Sequence, residues 1–228
     1  MSYNVSLPSY SVGTDVYKLV GSICAGYGHK AVAIGGHKAM AAVKDKLCKA
    51  IIDSDIEISD FIWYGGEASY ENVENLMSLE TVRNADMLFA IGGGKATDTV
   101  KTLADMTGKP VFTFPTIASN CSSCTSVSIM YKNNGIFLKP HFFANPPAHA
   151  FIDTEIIADS PKRYMWAGIG DTYAKHFESS ISSRGEEVPH YIALGVNIAR
   201  MCYEPMLKYG RKAVSYTHLR AHETEADL

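Results

Sequence analysis

ADMLFAIGGGKATDTVK, residues Ala85 to Lys101, decides the fold, because an apolar run ends in three glycines and then passes into helix-like sequence. Met87 to Ile91 is short, apolar and bounded by glycine, the pattern of a strand buried on both faces of a parallel sheet. Gly92, Gly93 and Gly94 clear the following turn of side chains, so backbone N–H groups and a helix N-terminus can approach an anionic ligand. Lys95 adds a cation, and Asp98 lies one helical turn further on. A strand feeding a phosphate-binding turn is the expectation, set against a joint whose glycines serve geometry alone.

Two familiar glycine patterns fail here. A P-loop needs a glycine five residues before the Gly94-Lys95 pair and a hydroxyl residue after the lysine, but Phe89 and Ala96 stand in those places. Gly26-Tyr27-Gly28-His29-Lys30-Ala31 matches the dinucleotide fingerprint in letters. It precedes an apolar run where it should follow one, and reads as a helix-ending turn.

Outward from this segment, apolar runs at Ala31–Ile34, Ile58–Trp63, Met87–Ile91 and Val111–Phe114 alternate with helical stretches such as Lys38 to Ile52 and Asn72 to Val82. Such alternation implies crossover connections and an α/β, Rossmann-like parallel sheet. Ser126 to Tyr131, Asn133-Asn134-Gly135 and Ile136 to Leu138 read as a hairpin. After Asp159-Ser160-Pro161, the stretches Lys162 to Ser183 and Pro189 to Lys208 read as helices, with each proline suited to a first turn. The expected organisation is a nucleotide-binding domain at 1–159, the start of an all-helical domain at 160–213, and a non-native tail at 214–228. That tail, VSYTHLRAHETEADL, loses apolar periodicity and resembles the translation of a transposon-type sequencing-library adapter, so the natural protein is expected to continue differently.

The 228 residues are 46% hydrophobic, enough for a full core, and the net charge is −3. With no basic run, nucleic acid is excluded as a partner, and no apolar stretch is long enough for a membrane. The N-terminal MSYNVSLPSYSVG lacks the features of a signal peptide, and five cysteines fit a reducing compartment, so a cytoplasmic location is expected. Cys24, Cys48 and Cys202 read as small buried residues. Cys121-Ser122-Ser123-Cys124 has the spacing of a redox or zinc motif, but it lacks a second pair and runs into the strand-like Thr125 to Tyr131. His218 and His222 are spaced like a zinc pair, with Leu219 where the catalytic glutamate of such a motif would stand.

Three separated segments, GGGKATDTVK, PTIASNCSSCTSVSIMY (Pro115 to Tyr131) and AGIGDTYAKHFE (Ala167 to Glu178), resemble the glycerol dehydrogenase-like branch of the iron-containing alcohol dehydrogenase superfamily. The resemblance implies a Rossmann-like domain followed by a helical one. It also implies NAD or NADP as cofactor, one divalent metal (zinc or iron) in the cleft, and a small alcohol or oxo acid as substrate. On that basis Gly93, Gly94, Lys95 and Asp98 would hold the pyrophosphate and nicotinamide ribose, while Thr116, Ser119, Thr125, Val127 and Tyr131 would line the cofactor site. Asp171 would be a metal ligand on a helix whose start is marked by Gly168-Ile169-Gly170. Without the resemblance, Asp171 reads as an N-cap or as an i,i+4 partner of Lys175. The family's two histidine ligands belong to later helices; neither His176 nor His190 occupies a matching position, and one carboxylate does not hold a metal tightly.

The sequence departs from glycerol-using members twice. Their ribose-binding aspartate after the second strand is replaced by Gly36-His37-Lys38, which removes a charge repelling a 2′-phosphate and places His37 and Lys38 to pair with one. Cys121 stands where they carry a substrate-binding aspartate. A thiol hydrogen-bonds poorly to a polyol, and the lost negative charge favours an anionic substrate, so a 2-hydroxy acid and its 2-oxo acid become attractive. The alternatives are glycerol dehydrogenase proper, a dehydroquinate synthase-like lyase and a non-catalytic nucleotide-binding fragment. The helical half is expected to support contacts in a homo-oligomer.

Overall fold

A computed structural model describes residues 5–185 and 187–215. The elements run β1 (Tyr10–Gly13), α1 (Val20–Cys24), β2 (Lys30–Gly35), α2 (His37–Ile51), β3 (Glu57–Trp63), α3 (Tyr70–Ser78), α4 (Glu80–Asn84), β4 (Met87–Gly92) and α5 (Gly94–Thr107). They continue with β5 (Val111–Pro115), β6 (Val127–Tyr131), β7 (Phe137–Phe142), β8 (His149–Asp153), α6 (Thr154–Ala158), α7 (Lys162–Ser182) and α8 (His190–Ser215).

Six strands form one parallel sheet in the order β1-β8-β5-β4-β2-β3, and β6 and β7 form a separate antiparallel hairpin. The central strands are apolar on both sides because helices cover both faces. Met87, Phe89 and Ile91 of β4 pack with α1 and α2 residues and with Phe112, Phe114 and Phe151. Leu88 and Ala90 point the other way, towards Val73 and Leu76 of α3 and Val100 and Leu103 of α5. A fully buried phenylalanine contributes about 1.5–3 kcal/mol, so the ring cluster Phe89–Phe114–Phe151 is a major source of cohesion.

β2 and β4 lie side by side, yet the chain leaves β2 towards β3 on one side and returns to β4 on the other. The crevice at their C-terminal ends is therefore a topological switch point. The strands approach closely there: a Cβ on Gly35 would come within 2.2 Å of the Ile91 carbonyl oxygen.

Several details differ from the sequence reading. Strands β1 and β8 have no counterpart among the expected runs. β1 is an exposed edge strand, while β8 begins and ends in polar residues buried by particular partners. The His149 ring nitrogens meet Ser9 Oγ and Ser11 Oγ at 2.7 and 2.9 Å. Asp153 caps α6 through the N–H groups of Glu155 and Ile156 and meets Lys46 Nζ at 2.6 Å. The helix expected over Asn72 to Val82 is two helices, because Leu79 is extended. Gly168 and Gly170 sit inside α7 and do not mark its start; a Cβ on Gly168 would lie 1.8 Å from the Ala118 carbonyl oxygen, so this glycine serves close packing. Cys24 is buried as expected, whereas Cys48 and Cys202 are exposed, since α2 and α8 turn those positions outward. The Gly26-Tyr27-Gly28 segment does end a helical turn, with Gly28 at φ 128°. α8 continues through Val214 and Ser215, while His218 and His222 lie outside the described residues.

Two predictions test these contacts. Gly35→Ala should destabilise the chain by about 3 kcal/mol, at the upper end for single substitutions, because the obstruction is backbone; denaturant titration measures this. Desolvation holds the His149 pKa below its usual value, so the ring is neutral in the fold. Its stabilisation is complete above about pH 6.5 and declines as pH falls through the folded-state pKa. His149→Gln should flatten that part of the stability–pH curve, as read by denaturation midpoints.

Candidate functional site

Two helices begin at the switch point. α2 starts after Gly36 and α5 after Gly93, and neither has a side-chain cap. Their first N–H groups and positive dipole ends are thus offered to an anion. A cleft of about 410 Å³ opens between them. It is lined by Gly36 and Ala39, by Gly92 to Ala96 of the turn, and by Tyr64, Ile117, Ser119, Asn120 and Tyr164. Gly92 adopts φ 143°, which only glycine takes readily. Added Cβ atoms on Gly93 and Gly94 would fall 2.4 Å from Ile117 Cδ1 and 2.8 Å from Asn120 Nδ2. The three glycines are therefore needed for both the turn and the space above it.

Of the residues singled out in the sequence, Gly93, Gly94, Lys95 and Ser119 line this cleft. Lys95 is not a free cation: its Nζ lies 2.6 Å from Glu67 Oε2, and that hydrogen bond raises its pKa. His37 and Lys38 open α2 at the cleft's edge, Lys38 in solvent and His37 stacked on Trp63 with ring centres 5.6 Å apart. Thr116 is buried and donates its N–H to the Gly92 carbonyl at 3.3 Å, tying β5's end to the turn. Tyr131 ends β6 and donates its N–H to the Ala68 carbonyl at 2.7 Å.

Asp98, Thr125 and Val127 belong to a buried network behind the cleft. Asp98 accepts the Ile129 N–H at 3.1 Å and pairs with Lys101 Nζ at 3.1 Å. Lys101 also donates to the Val127 carbonyl at 2.6 Å and meets both Thr125 oxygens at 3.3 Å. Desolvation raises the Asp98 pKa and lowers that of Lys101, each only partly countered by the other's charge. The pair fastens the β6–β7 hairpin to α5. Sequence reading missed Lys101, although its place one turn after Asp98 gives an i,i+3 signal. It also missed Tyr64, Asn120 and Tyr164, which reach the cleft from distant segments.

Cys121 is exposed, and its thiol pKa is raised by desolvation, with the charges of Lys175 and Asp171 acting nearby. Asp171 lies inside α7 and pairs with Lys175 at 3.3 Å, so the i,i+4 arrangement holds and the N-cap does not. His176 stacks on Tyr203 with ring centres 4.4 Å apart. Among the described residues no group of three His, Cys, Asp or Glu side chains converges for a metal, so those present do not by themselves hold one.

A larger groove of about 670 Å³ lies beyond the C-terminal end of α5. Its cations are already engaged, Lys101 as above and Lys109 by the Arg83 and Ala85 carbonyls. The smaller cleft has two helix N-termini without side-chain caps and is the better candidate. No helix among the described residues is long and apolar enough to cross a membrane.

Comparison with known proteins agrees with this fold. Residues 8–154 match the family described as "Iron-containing alcohol dehydrogenase". Glycerol dehydrogenase of Thermotoga maritima is 40% identical over 152 residues, covering 64% of this chain and 41% of that protein. Hydroxycarboxylate dehydrogenase A of Escherichia coli K12 is 32% identical over 187 residues, covering 82% of this chain and 51% of its own length. The crystal structure of glycerol dehydrogenase from Schizosaccharomyces pombe superposes with a TM-score of 0.80 at 25% identity, over 93% of this chain and 55% of that one. The chain thus spans about half the length of these relatives.

Lys101→Met should leave Asp98 as an uncompensated buried charge and cost about 3–5 kcal/mol. Thermal and denaturant unfolding would measure the loss, and Asp98→Leu in the same chain should recover much of it.

Proposed function

Because the chain belongs to the iron-containing alcohol dehydrogenase family, we propose that its cleft binds a nicotinamide dinucleotide for hydride exchange with the CH–OH carbon of a small alcohol. One observation carries this reading: two uncapped helix N-termini converge over a side-chain-free glycine turn at the switch point. The cofactor supplies the hydride chemistry. The protein's part is to neutralise the pyrophosphate with the α2 and α5 N-termini, admit it over Gly92 to Gly94, and flank it with Ser119 and Asn120. Asp98, Thr125 and Val127 contribute by holding the hairpin behind the cleft, and Thr116 and Tyr131 by fixing the ends of β5 and β6.

NADP is the favoured cofactor over NAD. No carboxylate follows β2, and His37 and Lys38 stand at the first turn of α2, where a 2′-phosphate would gain the Lys38 charge, a His37 hydrogen bond and the helix dipole. The substrate we favour is a 2-hydroxy acid with its 2-oxo acid, on the polarity of Cys121 and its proximity to Lys175. A relative named hydroxycarboxylate dehydrogenase supports this choice. Glycerol is the second reading, supported by the name of the Thermotoga relative. Asp171 is the ligand this chain would offer to a divalent metal, zinc or iron. The five free cysteines support a cytoplasmic location.

Titration with NADPH and NADH, followed by nucleotide fluorescence, tests the reading. NADPH should bind more tightly, and Lys38→Ala should weaken it about five-fold, on the order of 1 kcal/mol for an exposed pair, while leaving NADH unchanged. Binding of neither nucleotide would reject the cleft assignment; equal losses for both would reject the 2′-phosphate role. For the full-length enzyme, faster turnover of glycerol than of 2-oxobutyrate would reverse the substrate preference.

A further inference from the structure

The Cys121-Ser122-Ser123-Cys124 segment has no part in the function above beyond Cys121's substrate contact, and the structure changes its reading. Ser122–Cys124 forms a single 3₁₀ turn, and the Cys124 N–H donates to the Cys121 carbonyl at 3.0 Å. In such a turn residues i and i+3 eclipse, so the two side chains rise on the same side. Cys121 is exposed and Cys124 is partly so. Asn120, the residue before this turn, accepts the Ser122 N–H at 3.1 Å and sits over Gly94 of the phosphate turn.

We propose that Cys121 and Cys124 form a reversible disulfide on exposure to hydrogen peroxide, and that its closure loosens the nucleotide cleft. The second half of this proposal rests on the cleft reading given above. The Cys121 thiolate attacks one peroxide oxygen, the O–O bond breaks, and the departing hydroxide takes a proton to leave as water. The resulting sulfenic acid is attacked by the Cys124 sulfur. An S–S bond forms, the S–O bond breaks, and the Cys124 proton leaves with the hydroxide as a second water. Two thiols are oxidised by two electrons in all, and one peroxide is reduced by two.

Geometry sets the consequence. Side chains three apart on a helical turn have Cβ atoms about 5–6 Å apart, and a disulfide draws them to about 3.5–4.5 Å. The turn must tighten by about 1–2 Å, the difference between those two spacings. Its anchor on that side is Asn120, whose amide lies over Gly94 where an added Cβ would meet it. The contraction is therefore delivered to the lining of the nucleotide cleft. Desolvation raises both thiol pKa values, which slows the attack.

The test uses the chain with Cys48→Ser and Cys202→Ser, so that the other exposed thiols are silent. Peroxide should remove two hydrogens by intact mass, with the link mapped to Cys121–Cys124, and dithiothreitol should reverse it. NADPH affinity of the oxidised chain should fall about ten-fold, the worth of one well-placed hydrogen bond. Cys124→Ser should show neither the cross-link nor the reversible loss. Sulfinic acid at Cys121 with no cross-link would overturn the disulfide. A cross-link with unchanged NADPH affinity would overturn its coupling to the cleft. If the reduced chain bound no nucleotide, the cleft assignment and the coupling would fall together, while the mass measurement would still decide the disulfide.

Discussion

The close approach of β2 and β4 at their C-terminal ends is the constraint on which the rest depends. Gly35 lies against the Ile91 carbonyl with no room for a methyl group, and Gly92 follows with a backbone that only glycine adopts readily. Because these strands meet where the chain reverses direction across the sheet, their ends leave a crevice and not a packed corner. Both following helices begin there without side-chain caps. The same missing atoms that allow the strands to touch also leave the space above them open to a ligand.

Much of this was legible in the sequence, since it depends on local chemistry. The strands at the centre of the sheet are continuous apolar runs because both faces are covered, and the turn after β4 is a run of glycines between a strand and a helix. Legibility failed where long-range partners replace local pattern. β8 carries His149 and Asp153 into the interior because Ser9, Ser11 and Lys46 meet them there, and no window of neighbouring residues encodes that. Leu79 breaks a continuous helical periodicity by taking an extended conformation, although its side-chain type gives no warning.

The site divides the same way. Residues on the glycine turn were found from spacing, whereas Tyr64, Asn120 and Tyr164 reach the cleft from three separate segments. Charges were visible in the sequence, but their partners were not. Lys95 reads as a free cation and is paired with Glu67, and Asp98 faces Lys101 and the hairpin behind the cleft. Two cations beside the glycine turn thus do different work, one as a partly exposed pair at the mouth of the cleft and one as a buried fastening.

Gly168 was read as the punctuation before a helix and is instead a bare patch in the middle of one, pressed on the Ala118 carbonyl. The peptide it touches belongs to the loop that carries Ser119 and Asn120 into the cleft. With no side chain between them, that loop has no cushion on its outer side. α7 acts as its backstop, and the segment bearing Asp171 and the segment that flanks the cleft must shift together or not at all.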